Sequence, residues 1–305
     1  MRDHKGVLVV GTITQDFVDS PGITLDGELG GSATYAALAA RPFGRVAVAG
    51  AMGRDRAAEV MRLLEFADMS RLLPFDLPTY SWKARRAAVN GDATTVARFT
   101  GALEGYVPEL GPRESLPRTV FLGSADPVSQ LAAIEGCPPD AFIGCDTMDI
   151  FIEGQRGTVE KVISQCHLLF ATQHELEMLA KTRGAAAAAL RVLDLFPLVA
   201  LVVKVGAAGA VLWTANDNRQ VPAVEVEVVD PTGAGDALAG AFLGRLSEAD
   251  SEGEDDLIDA LEWGVVAASF AISGVGVSAL SSATREDMAQ RLAAYRDGRE
   301  TPRPG

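Results

Sequence analysis

Short apolar runs alternate with amphipathic segments along most of this chain, and this alternation limits its fold more than any other feature. The runs lie between turn residues, a pattern typical of strands that are buried on both faces of a sheet. Alternating strands and helices predict an α/β fold, with a mostly parallel sheet covered by helices on both faces. The predicted strands cover residues 7–11, 46–49, 120–122, 141–145, 168–171, 201–205 and 224–229.

The segments between the runs repeat their apolar residues at helical spacing. Three long helices are predicted in the last third of the chain, followed by a flexible tail over 297–305, which is rich in Arg, Pro and Gly. The predicted helices cover residues 32–40, 55–66, 128–135, 158–165, 174–180, 185–195, 235–247, 255–272 and 285–296.

Two stretches, 15–29 and 79–105, interrupt the alternation with polar, strand-like sequence. The second contains the turn signal Asn90-Gly91-Asp92 between two strand-like runs, as in a β-hairpin. We interpret the two stretches as a small β-structure, a candidate lid inserted into a single domain that spans 1–305. The alternative is a pair of ordinary surface loops.

Composition limits the partners and the location. The chain has 305 residues, 48% of them hydrophobic, with a net charge of −14, so most of its surface would repel nucleic acid. It shows no signal peptide and no apolar stretch of the ~20 residues that cross a membrane. Its cysteines, Cys137, Cys145 and Cys166, lack metal-ligand spacing. We expect a cytoplasmic protein with no membrane partner.

The most informative motif is DPTGAGD, which begins at Asp230 and leads into a long apolar helix. Its glycines allow close approach of the backbone to a ligand. The first N–H groups of a helix lack internal acceptors, and the helix dipole is positive there. Gly233, Ala234 and Gly235 therefore form a candidate anion site, suited to a phosphoryl group.

Asp236 lies at the start of that helix, where the positive helix end favours an ionised carboxylate. Such a carboxylate can accept the proton of an attacking hydroxyl. Asp is also a common N-cap residue, which is the purely structural alternative. The complete strand–DPTGAGD–helix arrangement favours the role of a base.

Other nucleotide motifs are absent from the sequence. A Walker A loop needs Gly-Lys, a dipeptide that this chain lacks, and no G-x-G-x-x-G follows the first strand. The H-R-D and D-F-G motifs of protein kinases are also missing. If the chain binds ATP, it does so with another fold.

At this point the sequence resembles the ribokinase/PfkB family of carbohydrate and nucleoside kinases. The resemblance rests on DPTGAGDALAGAFLG, on G-T-I-T-Q-D ending at Asp16, on G-G-S-A-T-Y-A beginning at Gly30, and on K-V-G-A-A-G beginning at Lys204. It covers nearly the whole chain. It implies a ribokinase-like α/β sheet with a small β-lid, and an ATP- and Mg²⁺-dependent kinase.

The resemblance implies roles for individual residues. Asp236 is expected to be the base and 233–235 the anion hole. The substrate would lie against Asp16, Gly30, Gly31, Ser32 and Tyr35. The nucleotide would lie against Lys204, Gly206, Gly209, Thr172, Gly233, Gly235, Val265 and Ala268. Glu175 would hold Mg²⁺ through water, and Asp230 and Thr232 lie where many family members bind a monovalent cation such as K⁺.

Two positions depart from the family pattern. The family's Asn-x-x-Glu motif is here Thr172-Gln173-His174-Glu175, so the nucleotide contacts of that Asn are lost. Tyr35 replaces an Asn that touches substrate, which suggests an acceptor with a flat or apolar part; the alternative is that Tyr35 is a core aromatic on its helix. The Gly-Gly-Ser-x-Thr-Tyr form of the motif that begins at Gly30 is similar to that of a nucleoside-kinase-like subgroup of the family.

Several further residues have two interpretations. Asp146 ends a strand and lies near Mg²⁺ or phosphate, or only forms a turn. Trp82 either covers a substrate ring or packs the lid. Lys83, Arg85 and Arg86 are most simply a solvated charge cluster; the alternative is that one of them reaches a phosphate when the lid closes. His167 and His174 are expected to be structural.

The preferred hypothesis is a kinase that phosphorylates a hydroxyl, primary by expectation, of a nucleoside or a free sugar. The alternative is a non-catalytic sugar- or nucleotide-sensing protein on the same fold. A dehydrogenase is disfavoured because the dinucleotide fingerprint is missing. The resemblance also leaves open a homodimer formed through the lid.

Overall fold

The computed structural model describes residues 5–89, 91, 93–249 and 253–300, and these residues form two β-sheets with helices around the larger one. In chain order the strands are β1 (Val7–Val10), β2 (Thr14–Ser20), β3 (Ile23–Gly30), β4 (Val46–Gly53), β5 (Asp68–Phe75), β6 (Tyr80–Arg86), β7 (Ala93–Phe99), β8 (Thr119–Leu122), β9 (Phe142–Asp146), β10 (Leu168–Thr172), β11 (Ala200–Lys204), β12 (Ala210–Trp213) and β13 (Asn218–Val221).

The α-helices lie between the strands and after the last of them. They are α1 (Ser32–Ala40), α2 (Ala57–Leu63), α3 (Pro127–Gly136), α4 (Asp149–Gly154), α5 (Arg156–Ile163), α6 (Gln173–Ala180), α7 (Ala185–Leu195), α8 (Ala234–Leu246), α9 (Glu254–Ala271), α10 (Ser278–Ser282) and α11 (Arg285–Glu300). Within the described ranges, no helix is both long and apolar enough to cross a membrane.

The larger sheet has the strand order β13-β12-β11-β10-β9-β8-β1-β4-β5 over the described residues. The neighbouring strands from β5 through β4, β1, β8, β9 and β10 to β11 are parallel to one another. Strand β12 is antiparallel to β11, and β13 is antiparallel to β12. From β1 the chain builds β4 and β5 on one side and β8 onwards on the other. The order of the strands therefore reverses beside β1, and ligands bind at such switch points in open α/β sheets.

Helices cover both faces of this sheet, which explains why its strands are apolar throughout. In β1, Val7 and Val9 face one core, and Leu8 and Val10 face the other. The first core is formed with α1, α2 and α8 to α11, and the second with α3 to α7. The prediction of a mostly parallel sheet covered on both faces is confirmed.

The second sheet, called the small sheet below, has the order β3-β2-β6-β7. Strands β2 and β6 are parallel, and each pairs with its hairpin partner in antiparallel fashion. Its strands lie in or next to the two stretches that interrupt the alternation, so a separate small β-structure is confirmed. Asn90 and Asp92 of the expected turn lie outside the described residues.

Some predicted elements are wrong or were missed. Residues 224–228 are extended but pair with no described strand, because Pro222 lacks an N–H and ends the ladder after β13. The edge strand β5 and the hairpin β12–β13 were not predicted: β5 begins with polar residues, and the short apolar strand β12 pairs with the polar strand β13. Helix α11 continues through 297–300, whereas 301–305 lie outside the described residues.

Candidate active site

The candidate site lies at the carboxyl ends of the parallel strands, beside the point where the strand order reverses. Asp146 ends β9, Thr172 ends β10 and Lys204 ends β11. The motif 230–236 leads into α8, which packs against α1 and α9 under the same edge. One edge of the sheet thus collects residues that are far apart in the sequence.

The loop of the DPTGAGD motif is fixed by its own side chains. Asp230 is buried, and its Oδ1 accepts hydrogen bonds from the backbone N–H (3.0 Å) and the hydroxyl (2.7 Å) of Thr232. Gly233 then takes a positive φ of 76°, which glycine adopts without strain, and α8 begins at Ala234. The loop leads directly into the start of α8, whose first N–H groups lack acceptors within the helix; the N–H of Ala234 donates to the Pro231 carbonyl at 3.4 Å.

The ring of Tyr35 packs against this loop at Gly233. A Cβ atom on Gly233 would lie 2.3 Å from the Tyr35 ring, so the ring contacts the backbone directly. Tyr35 is 1% exposed, and its buried hydroxyl has no hydrogen-bond partner among the described residues. Its position differs from the one its motif suggested: the ring packs under the anion loop and does not line an open sugar pocket.

Asp236 follows the loop in the first turn of α8. Its Oδ1 is buried and accepts no hydrogen bond from the residues that the structure describes. Burial raises the pKa of this carboxyl from 3.8 to about 7; the charges of Asp146 and Asp16 add to the rise, and Lys204 opposes it. A carboxylate that is unpartnered and titrates near neutral pH can exchange a proton with a ligand.

Lys204 contributes a positive charge beside the loop. Its Nζ donates to Oδ2 of Asp146 at 2.6 Å, and its side chain lies against Gly235, where a Cβ atom would be 3.2 Å from Lys204 Cδ. Burial lowers the pKa of Lys204, but Asp146, Glu175 and Asp236 together raise it above its usual value. Lys204 therefore stays charged at the point where a phosphate chain would pass.

Thr172 and Glu175 form a capping box at the start of α6. The Thr172 N–H donates to Glu175 Oε2 at 2.7 Å, and the Glu175 N–H donates to Thr172 Oγ1 at 3.3 Å. This pair satisfies two N–H groups of the helix end. Thr172 thus replaces the family's Asn with a residue that fixes the orientation of Glu175. Burial raises the pKa of Glu175, and the charge of Lys204 opposes that rise.

The carboxylates beside Lys204 fit a magnesium ion only if it arrives on a nucleotide. No cluster of three acidic, His or Cys side chains that could hold a metal occurs within the described ranges. Asp146 uses Oδ2 for Lys204 and Oδ1 for the N–H of Thr147. Mg²⁺ on ATP keeps several waters and needs one or two protein carboxylates, and Glu175 and Asp146 meet that need.

A cavity of about 640 Å³ opens on one side of the loop. This volume lies in the usual range for ligand sites. The structure brings six of the eight predicted nucleotide residues to its wall, whereas Thr172 and Gly233 lie outside its lining. The six are Lys204, Gly206, Gly209, Gly235, Val265 and Ala268. Residues 222–226 and Val228, which were predicted as a strand in part, line it as well.

The predicted substrate residues lie on the other side of the loop. Asp16 is buried on β2, and its Oδ1 accepts the hydroxyl proton of Thr14 at 2.7 Å. A Cβ atom on Gly30 would lie 2.0 Å from Asp16 Oδ2. Burial raises the pKa of Asp16 to about 7, the Thr14 hydrogen bond opposes this, Asp230 adds to the rise and Arg86 opposes it.

Gly31 and Ser32 connect the small sheet to α1. Gly31 has a φ of 94°, and a Cβ atom there would lie 2.3 Å from the Thr12 carbonyl oxygen. The Ser32 hydroxyl accepts the N–H of Thr12 at 3.1 Å, so it holds the loop after β1. Gly31 and Ser32 therefore hold the start of α1 against the loop after β1, and this backbone contact accounts for their presence in the motif.

Trp82 lies on the same face of the small sheet as Asp16, because the two residues are in register on the parallel strands β2 and β6. Its Nε1 donates to Thr95 Oγ1 at 3.0 Å, and its ring packs with Val18, Leu25 and Ala84. Trp82 therefore packs the small sheet and also faces the acceptor side of the loop.

The charge cluster of β6 is only partly solvated. Lys83 and Arg85 are exposed, but Arg86 is 8% exposed and its Nη2 donates to Thr232 Oγ1 at 3.0 Å. The interpretation of Arg86 as a solvated charge is therefore wrong. The alternation of the strand could have shown it, since residues 85 and 86 must face opposite sides. His167 is structural, since its Nδ1 accepts the N–H of Ile143 at 3.1 Å, and His174 is exposed.

Comparison with known proteins gives a consistent result. Residues 143–285 match the model of the family described as pfkB family carbohydrate kinase. The chain is 25% identical over 154 residues to the nucleoside kinase of Methanocaldococcus jannaschii; this match covers 50% of the chain and 49% of that relative. The chain therefore spans about half the length of this curated relative.

Two solved structures have the same fold. A fructokinase double mutant from Vibrio cholerae O395, with fructose, ADP and potassium ion bound, superposes with a TM-score of 0.76 at 22% identity over 96% of this chain and 100% of that one. The Burkholderia thailandensis nucleoside kinase in complex with inosine gives 0.74 at 18% identity over 95% of this chain and 98% of that one. At this identity the likeness establishes the ribokinase-like fold alone.

Proposed function

We propose, from the premise that this chain belongs to the ribokinase/PfkB family of carbohydrate and nucleoside kinases, that it transfers the γ-phosphate of ATP to a hydroxyl of a small sugar-containing molecule. The observation that carries the proposal is Asp236. Its Oδ1 is buried without a partner among the described residues, its pKa is raised to about 7, and it follows directly on a glycine loop at a helix start.

The chemistry follows from these positions. Asp236 accepts the proton of the acceptor hydroxyl while the oxygen attacks the γ-phosphorus. The new oxygen–phosphorus bond forms as the bond to the leaving ADP oxygen breaks. The N–H groups of 233–235 and the positive end of α8 bind the charge that develops on the transferred group. A primary hydroxyl is the expected acceptor because it is the least hindered.

We assign the nucleotide to the 640 Å³ cavity, because its volume and its largely apolar lining with one lysine suit a nucleotide. Apolar residues such as Val265 and Ala268 would contact the base. Lys204 and Gly235 at the inner end would contact the phosphates, with Lys204 held by Asp146. With these contacts the γ-phosphate would lie against the anion loop.

Two metal ions belong to the proposal. Mg²⁺ bound to ATP supplies positive charge to the phosphates, and Glu175 and Asp146 would hold it through water. A monovalent cation would lie beside Asp230, whose buried Oδ2 accepts no hydrogen bond from the described part of the chain. A buried carboxylate oxygen without a donor is a suitable ligand for such an ion.

The acceptor is a nucleoside or a free sugar. The related structures bind fructose in one case and inosine in the other, and both ligands carry a primary hydroxyl. Asp16 and the Gly30–Gly31 backbone would hold hydroxyls of the sugar. Trp82, on the same face as Asp16, offers an aromatic surface to a base.

The small sheet would act as a lid that excludes water when the acceptor binds. A homodimer through it is part of the proposal, because β7 is an edge strand with exposed Val96 and Phe99. Light scattering at several protein concentrations measures this assembly, and a Val96→Lys variant should be monomeric if the edge forms the interface.

The test of the function is Asp236→Asn. Wild type and variant are assayed for ADP formation against nucleosides, ribose, fructose and inositol. We expect turnover by the wild type on at least one acceptor, and a loss of about 10²–10⁴-fold in the variant. ATP binding, measured by calorimetry, should persist. A wild type that binds nucleoside or sugar but never transfers phosphate would instead be a sensor.

A further inference from the structure

Arg85 and Arg86 are neighbours on β6 with opposite environments. Arg85 points outward, its side chain is 71% exposed, and it forms an ion pair with Asp19 on the neighbouring strand. Arg86 points inward and is buried. Burying a guanidinium is costly unless it is hydrogen-bonded, so the inward position needs a partner that compensates for it.

The partner belongs to the DPTGAGD loop. Arg86 Nη2 donates to Thr232 Oγ1 at 3.0 Å, and Thr232 Oγ1 donates to Asp230 Oδ1 at 2.7 Å. At the other end of the guanidinium, Nη1 donates to the Gly91 carbonyl at 3.2 Å. A continuous chain of hydrogen bonds thus joins the turn after β6 to the loop that precedes α8.

The charge of Arg86 also lies on the acceptor side of the loop. It acts on Asp16 and on Tyr35, whose hydroxyl lies among the charges of Asp16, Asp230 and Asp236. Three carboxylates in one region repel each other, and a buried cation among them reduces that repulsion. The charge of Arg86 lowers the pKa of Asp16, so it acts on the carboxylate that would bind the substrate.

We propose that Arg86 is a positioning residue: it fastens the small sheet to the anion loop through Thr232, and so fixes Asp16 relative to the loop N–H groups. Asp16 and Arg86 lie on adjacent paired strands, so a contact at one end of the sheet limits movement at the other. The acceptor hydroxyl then approaches the γ-phosphate in one geometry, and water is excluded.

This inference rests on the proposed kinase function, and its test separates the two. Arg86→Gln, Arg86→Lys and the matched control Arg85→Gln are compared with the wild type. We expect Arg86→Gln to lower kcat/KM for the acceptor by about 10- to 100-fold, the size of a lost charged hydrogen bond. The KM for ATP should stay within about twofold, and ATP hydrolysis without acceptor should rise relative to transfer. Arg86→Lys should recover part of the loss, because it keeps the charge.

A second measurement does not depend on turnover. Hydrogen exchange at the backbone amides of Tyr80–Arg86 and Ala93–Phe99 should be faster in Arg86→Gln than in Arg85→Gln, because the fastening contact is lost. If the wild type phosphorylates no acceptor, the kinase proposal fails, and the exchange rates still decide about Arg86. Equal exchange in the two Gln variants overturns the inference, as does an acceptor kcat/KM in Arg86→Gln equal to that of Arg85→Gln.

Discussion

The two sides of the loop 230–236 are built in different ways. The side that we assign to the nucleotide is a cavity lined mostly by small apolar residues, together with Lys204, which forms an ion pair with Asp146. On the side that we assign to the acceptor, Arg86 of the small sheet contacts the loop at Thr232, and the side chains are buried and polar. These side chains are Asp16, Asp230, Tyr35 and Arg86.

This difference predicts how each side responds to change. Where a ligand lies against backbone and small residues, most side chains of the wall can be replaced. A Cβ atom added at the point where the ligand approaches the backbone is not tolerated. A wall of buried charges depends on every member, because removing one leaves the others without compensation. Nucleotide binding should therefore be robust, and acceptor binding should be sensitive to single substitutions.

Gly233→Ala should affect both sides of the site, since the loop serves both. The new Cβ atom would lie 2.3 Å from the Tyr35 ring, and the positive φ of 76° is strained for alanine. We expect turnover to fall by about 10²–10³-fold, as for loss of an oxyanion donor, together with a lower melting temperature.

The matched control is Gly105→Ala, which has a φ of 66° but open space around the Cβ position. It should lose only the ~1–2 kcal/mol of backbone strain and keep its turnover. Equal turnover losses in the two variants would show that strain, and not the contact with Tyr35, limits position 233.

Asp16→Asn and Lys204→Gln should separate the two sides of the site, because each variant should weaken the binding of a different ligand. We expect Asp16→Asn to raise the acceptor KM by about 10- to 100-fold, because it removes charged hydrogen bonds, with little change in the KM for ATP. Lys204→Gln should show the reverse pattern. Steady-state kinetics with each substrate varied in turn measures both, and a rise in both KM values in both variants contradicts the division of the site.

Trp82→Ala should distinguish between the two classes of acceptor. The ring lies on the face of Asp16, and stacking on a base contributes about 1–3 kcal/mol. The KM for a nucleoside should therefore rise by roughly 5- to 100-fold, and the KM for a free sugar much less. Trp82→Phe is the control, because it keeps an aromatic face while losing the hydrogen bond to Thr95. Equal effects on both acceptors would assign Trp82 to packing alone.

The smallest effect concerns stability. Because the pKa of Asp236 is raised to about 7, the folded protein binds this proton more tightly than the unfolded chain does, and the unfolding free energy falls as pH rises from about 4 to about 7. Asp236→Asn removes that cost. Allowing for its partial exposure, we expect the variant to be roughly 1–3 kcal/mol more stable than wild type at pH 8.

Denaturant unfolding at pH 8 and pH 4 measures this difference. At pH 4 Asp236 is largely protonated in the folded protein and about half protonated in the unfolded chain, so most of the advantage should disappear. An advantage of equal size at both pH values would assign the effect to packing and not to proton binding.

Sequence patterns predicted those elements whose burial is uniform. Helices α1 and α7 were predicted with their observed bounds, and the strands of the sheet interior were found because both of their faces are apolar. Edge strand β5 and hairpin β12–β13 were missed because β5 begins with polar residues and the four apolar residues of β12 pair with the polar strand β13. Residues 224–228 were misassigned because their alternating Val and Glu residues resemble a strand, whereas most of them line a cavity.

The site was predictable where a motif carries the chemistry. Asp236 and the loop glycines stand in contiguous sequence, and so the sequence alone singled them out as candidates. Arg86 was not, because its function depends on which loop the small sheet covers, a contact between residues far apart in the chain. Tyr35 shows the same limit, since its motif placed it near substrate, while packing puts its ring beneath Gly233.

The contact between Gly233 and Tyr35 also constrains how this chain can diverge. No atom fits between the glycine backbone and the aromatic ring, so a side chain at 233 requires a smaller residue at 35. A smaller residue at 35 alone would leave a cavity beneath the anion loop, which destabilises it. The two positions are therefore coupled, and a chain that exchanges them one at a time passes through an intermediate that is less stable than either end.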